Sequence, residues 1–234
     1  MASSVARRLT VVPAERRDQV VDGLRAELAQ SRLAPTLPTR EAFSGLLDGG
    51  LRKGCSYVVQ GSNALTYALL AEASAAGSWT GMVGVQDAGI EAAARLGVEL
   101  DRLVLVPEPG PRWLTVVGTL VDVLDLVVVR PPTPAYDAET RRLAARLRER
   151  GGVLLVHGDW PGAEQRLAVT ESRWYGLGDG HGHLSAREVT VTADGRGPQR
   201  TAKLWLPGGD GGVHLAEAAP ETTDLTQWRQ VKAG

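Results

Sequence analysis

The stretch Tyr57-Val58-Val59-Gln60-Gly61-Ser62-Asn63-Ala64-Leu65-Thr66 has the layout of a phosphate-binding element: a strand-forming run, a glycine turn, then a helical pattern. A working loop of the form G-x-x-x-x-G-K-[ST] wraps phosphate oxygens in backbone N–H groups. Its lysine neutralises their charge and its hydroxyl holds Mg²⁺. Here only the two ends survive. Gly61 to Thr66 spans five residue steps where the motif needs seven, and Leu65 stands in the lysine place. An apolar side chain brings no charge to the phosphates and a shortened loop offers them fewer amides, so tight ATP binding is not expected.

Other residues invite chemistry and carry less. Asp179-Gly180-His181-Gly182-His183 combines a carboxylate with two imidazoles, but no third ligand follows at helical spacing, and glycines alternating between two strand patterns suit a hairpin turn. Ser44 and Ser62 lie outside any G-x-S-x-G setting and no His/Asp partner is signalled, so they read as loop serines. No G-x-G-x-x-G follows the first strand, which argues against a dinucleotide site.

The elements that hold these residues follow from periodicity. Val20, Val21, Leu24 and Leu28 recur at three and four residues between Pro13 and Leu33, the pattern of an amphipathic helix. Pro35 and Pro38 end it, and 36–40 reads as an extended linker. Strands are expected at 56–60, 81–85, 102–106, 124–129 and 153–157. Helices are expected at 64–76, 90–96, 113–120 and 135–150. Val/Leu-rich strands separated by helices predict an α/β fold with a mostly parallel sheet flanked by helices on both sides. Three alternating segments, 167–174, 186–193 and 201–206, predict antiparallel strands added at the sheet edge. The last helix carries its own signals: Thr133 as cap, Pro134 in the first turn, Leu143 and Leu147 on the core face, and Gly151-Gly152 as terminator. The expected organisation is a helix and linker over 1–36, a core over 37–206 and a flexible tail over 207–234.

Composition sets limits. With 26 basic against 27 acidic residues the net charge is −1, so no global positive field draws the chain to nucleic acid or membrane. One cysteine, Cys55, rules out an internal disulfide framework and fits a reducing, cytoplasmic setting. No run approaches the ~20 apolar residues that cross a bilayer, and no export signal is read at the N-terminus.

Four segments in order carry a family resemblance. Gly49-Gly50-Leu51-Arg52-Lys53-Gly54-Cys55 before the Gln60-Gly61 turn is similar to the entry of a RecA core. Arg95-Leu96-Gly97-Val98-Glu99-Leu100-Asp101-Arg102-Leu103 resembles the RecA stretch leading into the third core strand. Val121 to Arg130 is similar to the Walker B strand, and Leu184 to Gly195 to RecA's last hairpin. The resemblance covers roughly 37–206. It implies a RecA-like core, and the departures imply a lost site. Arg130 stands where the family's metal-orienting Asp would be, and Leu65 where its lysine would be. Asp87, in Gln86-Asp87, falls near the place of the catalytic Glu, as a remnant base or a polar strand end, and His157-Gly158 replace the glutamine that senses the γ-phosphate. The vestigial nucleotide site is thus Gly61, Ser62, Asn63, Leu65, Thr66, Asp87 and Arg130, with no catalytic residue, cofactor or metal. Segments 131–137 and 159–166 are too short for RecA's two DNA loops.

Among RecA-like proteins, a degraded core with an N-terminal helix and a C-terminal tail resembles the ImuA family, especially its diverged actinobacterial type. That resemblance implies a damage-induced translesion complex with ImuB, a Y-family-like protein, and an error-prone DNA polymerase as partners, located at the nucleoid when assembled. Three alternatives stand beside it: a SulA-type inhibitor of cell division, a residual ATPase using Asp87 and Thr66, and a DNA-binding module. Candidate partner contacts are Val20, Leu24 and Leu28 on the first helix, which could also join copies of the chain or RecA. Arg142 and Arg146 on the arginine-bearing helix, Trp160 in a loop and Trp228 in the tail complete the set.

Overall fold

The computed structural model of the chain describes residues 35–177, 182–195 and 197–216. The expected first helix, with Val20, Leu24 and Leu28, lies outside the described residues, as do Asp179, His181 and Trp228.

Five short parallel strands form the centre: β3 (Ser56–Gln60), β4 (Thr80–Val83), β5 (Leu103–Val106), β6 (Leu126–Val129) and β7 (Val153–Val156). They are preceded by β1 (Thr36–Leu37) and β2 (Leu51–Arg52) and followed by β8 (Gln165–Leu177), β9 (Gly182–Gly195), β10 (Arg200–Trp205) and β11 (His214–Leu215). The main sheet runs β11-β10-β9-β8-β3-β7-β6-β4-β5. β8 is the strand at which the sheet changes character: it pairs parallel with β3 on one side and antiparallel with β9 on the other.

The central strands read LVVV and VLLV because both of their faces are covered; every residue of β6 and β7 is fully buried. On one face lie α1 (Asn63–Ala75) and α2 (Ile90–Arg95), which share a core with Phe43, Leu46, Leu47 and Leu51. On the other lie α3 (Trp113–Val121) and α4 (Asp137–Arg150), packed with Val117, Leu143 and Leu147 against β6 and β7. α1 is apolar nearly all round and buried accordingly, from Leu65 to Ala73. The class expected from the sequence, a mostly parallel sheet between helical layers with antiparallel strands toward the C-terminus, is the class found. Among the described residues no helix is long and apolar enough to cross a membrane.

Four expectations need correction. The 36–40 segment is not a plain linker: Thr36–Leu37 pairs antiparallel with Leu51–Arg52, and Leu37 is buried. Gly50, at φ +116°, permits this return, since a Cβ there would sit 2.3 Å from the Leu37 carbonyl oxygen. α4 starts at Asp137 rather than Ala135, because Glu139 Oε2 accepts a hydrogen bond from the Tyr136 amide at 3.0 Å and fixes Tyr136 as the cap. Thr133 instead accepts the indole N–H of Trp113 at 3.2 Å. The described fold also continues past Leu206, since β11 pairs with β10 and Val213 is buried, so the segment from Pro207 to Leu215 is not a plain tail. Finally, the β8–β9 hairpin is longer than its alternating cores suggested. Register shifts at Val169/Glu171 and Tyr175/Leu177 let it run on beyond the sheet.

Candidate functional site

Parallel sheets place the carboxyl ends of their strands at one edge, and ligands of open α/β folds collect there. In this chain that edge holds a cavity of about 600 Å³, lined by Gln60, Gly61, Ser62, Asn63, Asp87, Arg130, His157 and Gly158. Each comes from the end of a central strand. β3 delivers Gly61 to Asn63, the turn after β4 delivers Asp87, β6 delivers Arg130, and β7 delivers His157. The vestigial-site residues expected from the sequence are therefore brought together, apart from Leu65, which is buried in the core; Thr66 is buried too but meets His157 behind the cavity wall.

Glycine permits the close approaches. At Gly61, φ +83°, a Cβ would lie 2.9 Å from the Val169 carbonyl oxygen; at Gly84, φ +73°, it would lie 2.4 Å from that of Arg130. The second contact draws the turn after β4 against the end of β6, which sets Asp87 beside Arg130.

What fills the cavity wall is a closed network. The Arg130 guanidinium donates through Nη1 to Asp87 Oδ1 and through Nη2 to Asn63 Oδ1 at 3.1 Å. Asn63 Nδ2 in turn donates to Asp87 Oδ2 at 3.3 Å. Arg130 Nη2 also approaches His157 Nδ1 at 3.4 Å. Since a guanidinium can only donate, this network assigns Nδ1 as acceptor and places the ring proton on Nε2, which donates to Thr66 Oγ1 at 2.7 Å. Burial, and then the Arg130 charge, push the His157 pKa down to about 4, so the ring is neutral at pH 7. The Arg130 hydrogen bond holds the Asp87 carboxyl below the usual carboxylate range. A carboxylate that accepts from a guanidinium on one oxygen and an amide on the other, and is held below the usual range, is a weakened general base.

The residues that the sequence suggested for a phosphate loop are also committed within the fold. Leu65 is fully buried in the core and Thr66 nearly so. Ser62 is the N-cap of α1; its Oγ accepts the Leu65 amide at 3.4 Å, occupying one of the amides a phosphate would use. Among the described residues no group of three His, Cys, Asp or Glu is placed to hold a metal ion.

The other expected contacts divide. Trp160 is buried against the α3–α4 core, so it is a packing residue and not an interface anchor. Arg146 is committed within the chain, donating to both carboxylate oxygens of Asp122 at 2.7 and 2.6 Å. Arg142 is exposed, as a partner contact requires. One residue of the site was missed. Arg187, on β9, donates to Ser62 Oγ at 3.1 Å and so reaches the cavity rim from 125 positions away in the chain. No local spacing could signal it.

A family model described as the MT3502 N-terminal domain matches residues 44–162, from the turn before β2 to the loop after β7. The chain is also similar to an uncharacterized protein of Mycobacterium tuberculosis, Rv3395c, with 38% identity over 121 residues; the match covers 51% of this chain and 59% of that protein. The chain thus spans less than two thirds of the length of this relative. The family model takes in the cavity-forming strand ends, and since it covers half of the length, this chain belongs to the MT3502 N-terminal domain family.

Proposed function

We propose that this chain is a RecA-like protein whose nucleotide site has become structural, and that it serves as a non-catalytic adaptor of a DNA-damage-induced translesion synthesis complex. The observation that carries the reading is Arg130. Its position at the end of β6 is the one that in a RecA-like core holds the metal-orienting carboxylate. Here a guanidinium ties Asp87, Asn63 and His157 together, so the groups that would bind nucleotide and metal satisfy one another. The buried Leu65, and the α/β sheet whose β3 runs through the Gly61 turn into α1, support the same reading.

By its resemblance to ImuA the adaptor's partners are an ImuB-like Y-family homologue and an error-prone DNA polymerase, met in the cytoplasm and at the nucleoid, with DNA touched weakly or indirectly. The test is a pull-down of the tagged chain from DNA-damaged cells read by mass spectrometry. Recovery of a Y-family-like homologue is expected. Recovery of FtsZ alone would replace this reading by that of a division inhibitor.

A further inference from the structure

The β8–β9 hairpin continues past its pairings with β3 and β10, which reach Ala168 and Glu188, and meets the cavity-lining Ser62 through Arg187. There Arg187 sits opposite Trp174 in the ladder, its guanidinium 5.4 Å from the indole centroid. Arg187 Nε donates to Ser172 Oγ at 2.8 Å and Nη1 to Ser62 Oγ at 3.1 Å. Among the described residues it has no carboxylate partner, and Nη2 donates to nothing. This arginine is partly buried, and desolvation is the one influence that shifts its pKa, downward.

The surrounding hydroxyls have the same polarity. Ser62 Oγ accepts from both Leu65 N and Arg187, and Ser172 Oγ accepts from Arg187, so each hydroxyl keeps its proton to give. The cluster is therefore a set of donors awaiting an acceptor. Beside it the Trp174 indole is 48% exposed, with one face turned to the guanidinium. Tryptophan and arginine together are the residue types that dominate protein–protein binding energy.

We infer that Ser62, Ser172, Trp174 and Arg187 form a docking site for an acidic segment of a partner protein, whose Asp or Glu carboxylate pairs with Arg187 while a neighbouring apolar side chain lies on Trp174. The charge pattern selects a peptide over a nucleic-acid strand. A phosphate backbone needs repeated cations along its path. Among the described residues, Arg187 shares its face of the hairpin with Ser172, Trp174 and Val189, while Glu171, Arg173 and Glu188 alternate to the other face, so this face offers one cation and a match for one carboxylate. The inference rests on the adaptor reading but names a surface that reading does not.

The test is a panning of displayed random short peptides against the full chain, with affinities then read by fluorescence polarisation. Enriched peptides should carry Asp or Glu beside an aromatic or branched aliphatic residue. Their affinity should fall about tenfold or more with Trp174→Ala, with Arg187→Gln, and with Asn or Gln in place of the peptide's acid. Trp174→Ala alters an exposed side chain and keeps the result readable if Arg187→Gln loosens the hairpin. Failure to enrich acidic peptides, binding indifferent to both substitutions, or Trp174-dependent binding of labelled oligothymidylate instead would each overturn the inference. Peptide binding without recovery of a translesion partner from cells would sink the proposed pathway and leave the docking site standing.

Discussion

Replacing His157 by glutamine should make the protein's stability less sensitive to acid. The ring is held neutral in the fold, with its pKa pushed from 6.5 down to about 4, first by burial and then by Arg130. In the unfolded chain the same ring takes up its proton near its ordinary value. Acid therefore favours the unfolded state: the penalty is absent well above pH 6.5, grows as the pH falls below it, and levels off once the folded ring also protonates near pH 4. A difference of this size corresponds to about 3 kcal/mol in full, of which about 2 kcal/mol is realised by ~pH 5. The assay is urea denaturation of the wild type and His157→Gln at neutral pH and near pH 5, compared as a double difference so that the carboxylates common to both cancel. The wild type should lose about 2 kcal/mol more than the variant. Equal losses in the two proteins would refute the assignment of a neutral, desolvated imidazole bridging Arg130 and Thr66.

Leu65→Lys, which restores the lysine of a phosphate loop in name, should destabilise the fold by several kcal/mol and confer no ATP binding, since the position is fully buried; chemical denaturation and nucleotide titration together check it. Trp160→Ala should cost about 3–5 kcal/mol of stability as a core truncation, and an unchanged melting curve would return Trp160 to the surface. Gly84→Ala should cost about 1–3 kcal/mol, through its left-handed backbone and the Arg130 carbonyl its Cβ would meet, and the loss is read in the same denaturation series. Arg130→Gln should raise the His157 pKa by removing the second cause of its depression, a change visible in the imidazole resonances of a pH titration by NMR.

Much of the fold was legible because its strands are buried on both faces. The Val/Leu runs expected at 56–60, 124–129 and 153–157 fall within a residue or two of the strands found, and α1 and α3 likewise begin within a residue of their patterns. The errors sit where a side chain decides a boundary. Glu139 capping Tyr136 moved the start of α4, and the return of Leu37 onto Leu51 turned a proline-flanked linker into a strand. The cavity residues were nameable from the strand ends, since each follows its strand directly in the chain. Their relations were not: that Arg130 would pair with Asp87 depends on the Gly84 turn closing against β6, and that Arg187 would reach Ser62 depends on the length of a hairpin whose register shifts leave no periodic trace. Trp160 illustrates the opposite failure. A tryptophan among Asp, Pro and Gly reads as a loop anchor, yet it inserts into the α3–α4 core from that loop.

The most direct test of the central claim is co-elution of the purified chain with a purified ImuB-like homologue on size-exclusion chromatography, run without nucleotide and again with Mg-ATP. A complex of the same size and yield in both runs is the predicted result, since Arg130, Asp87 and Asn63 already occupy one another. No complex, or a complex that forms only with Mg-ATP, would contradict it.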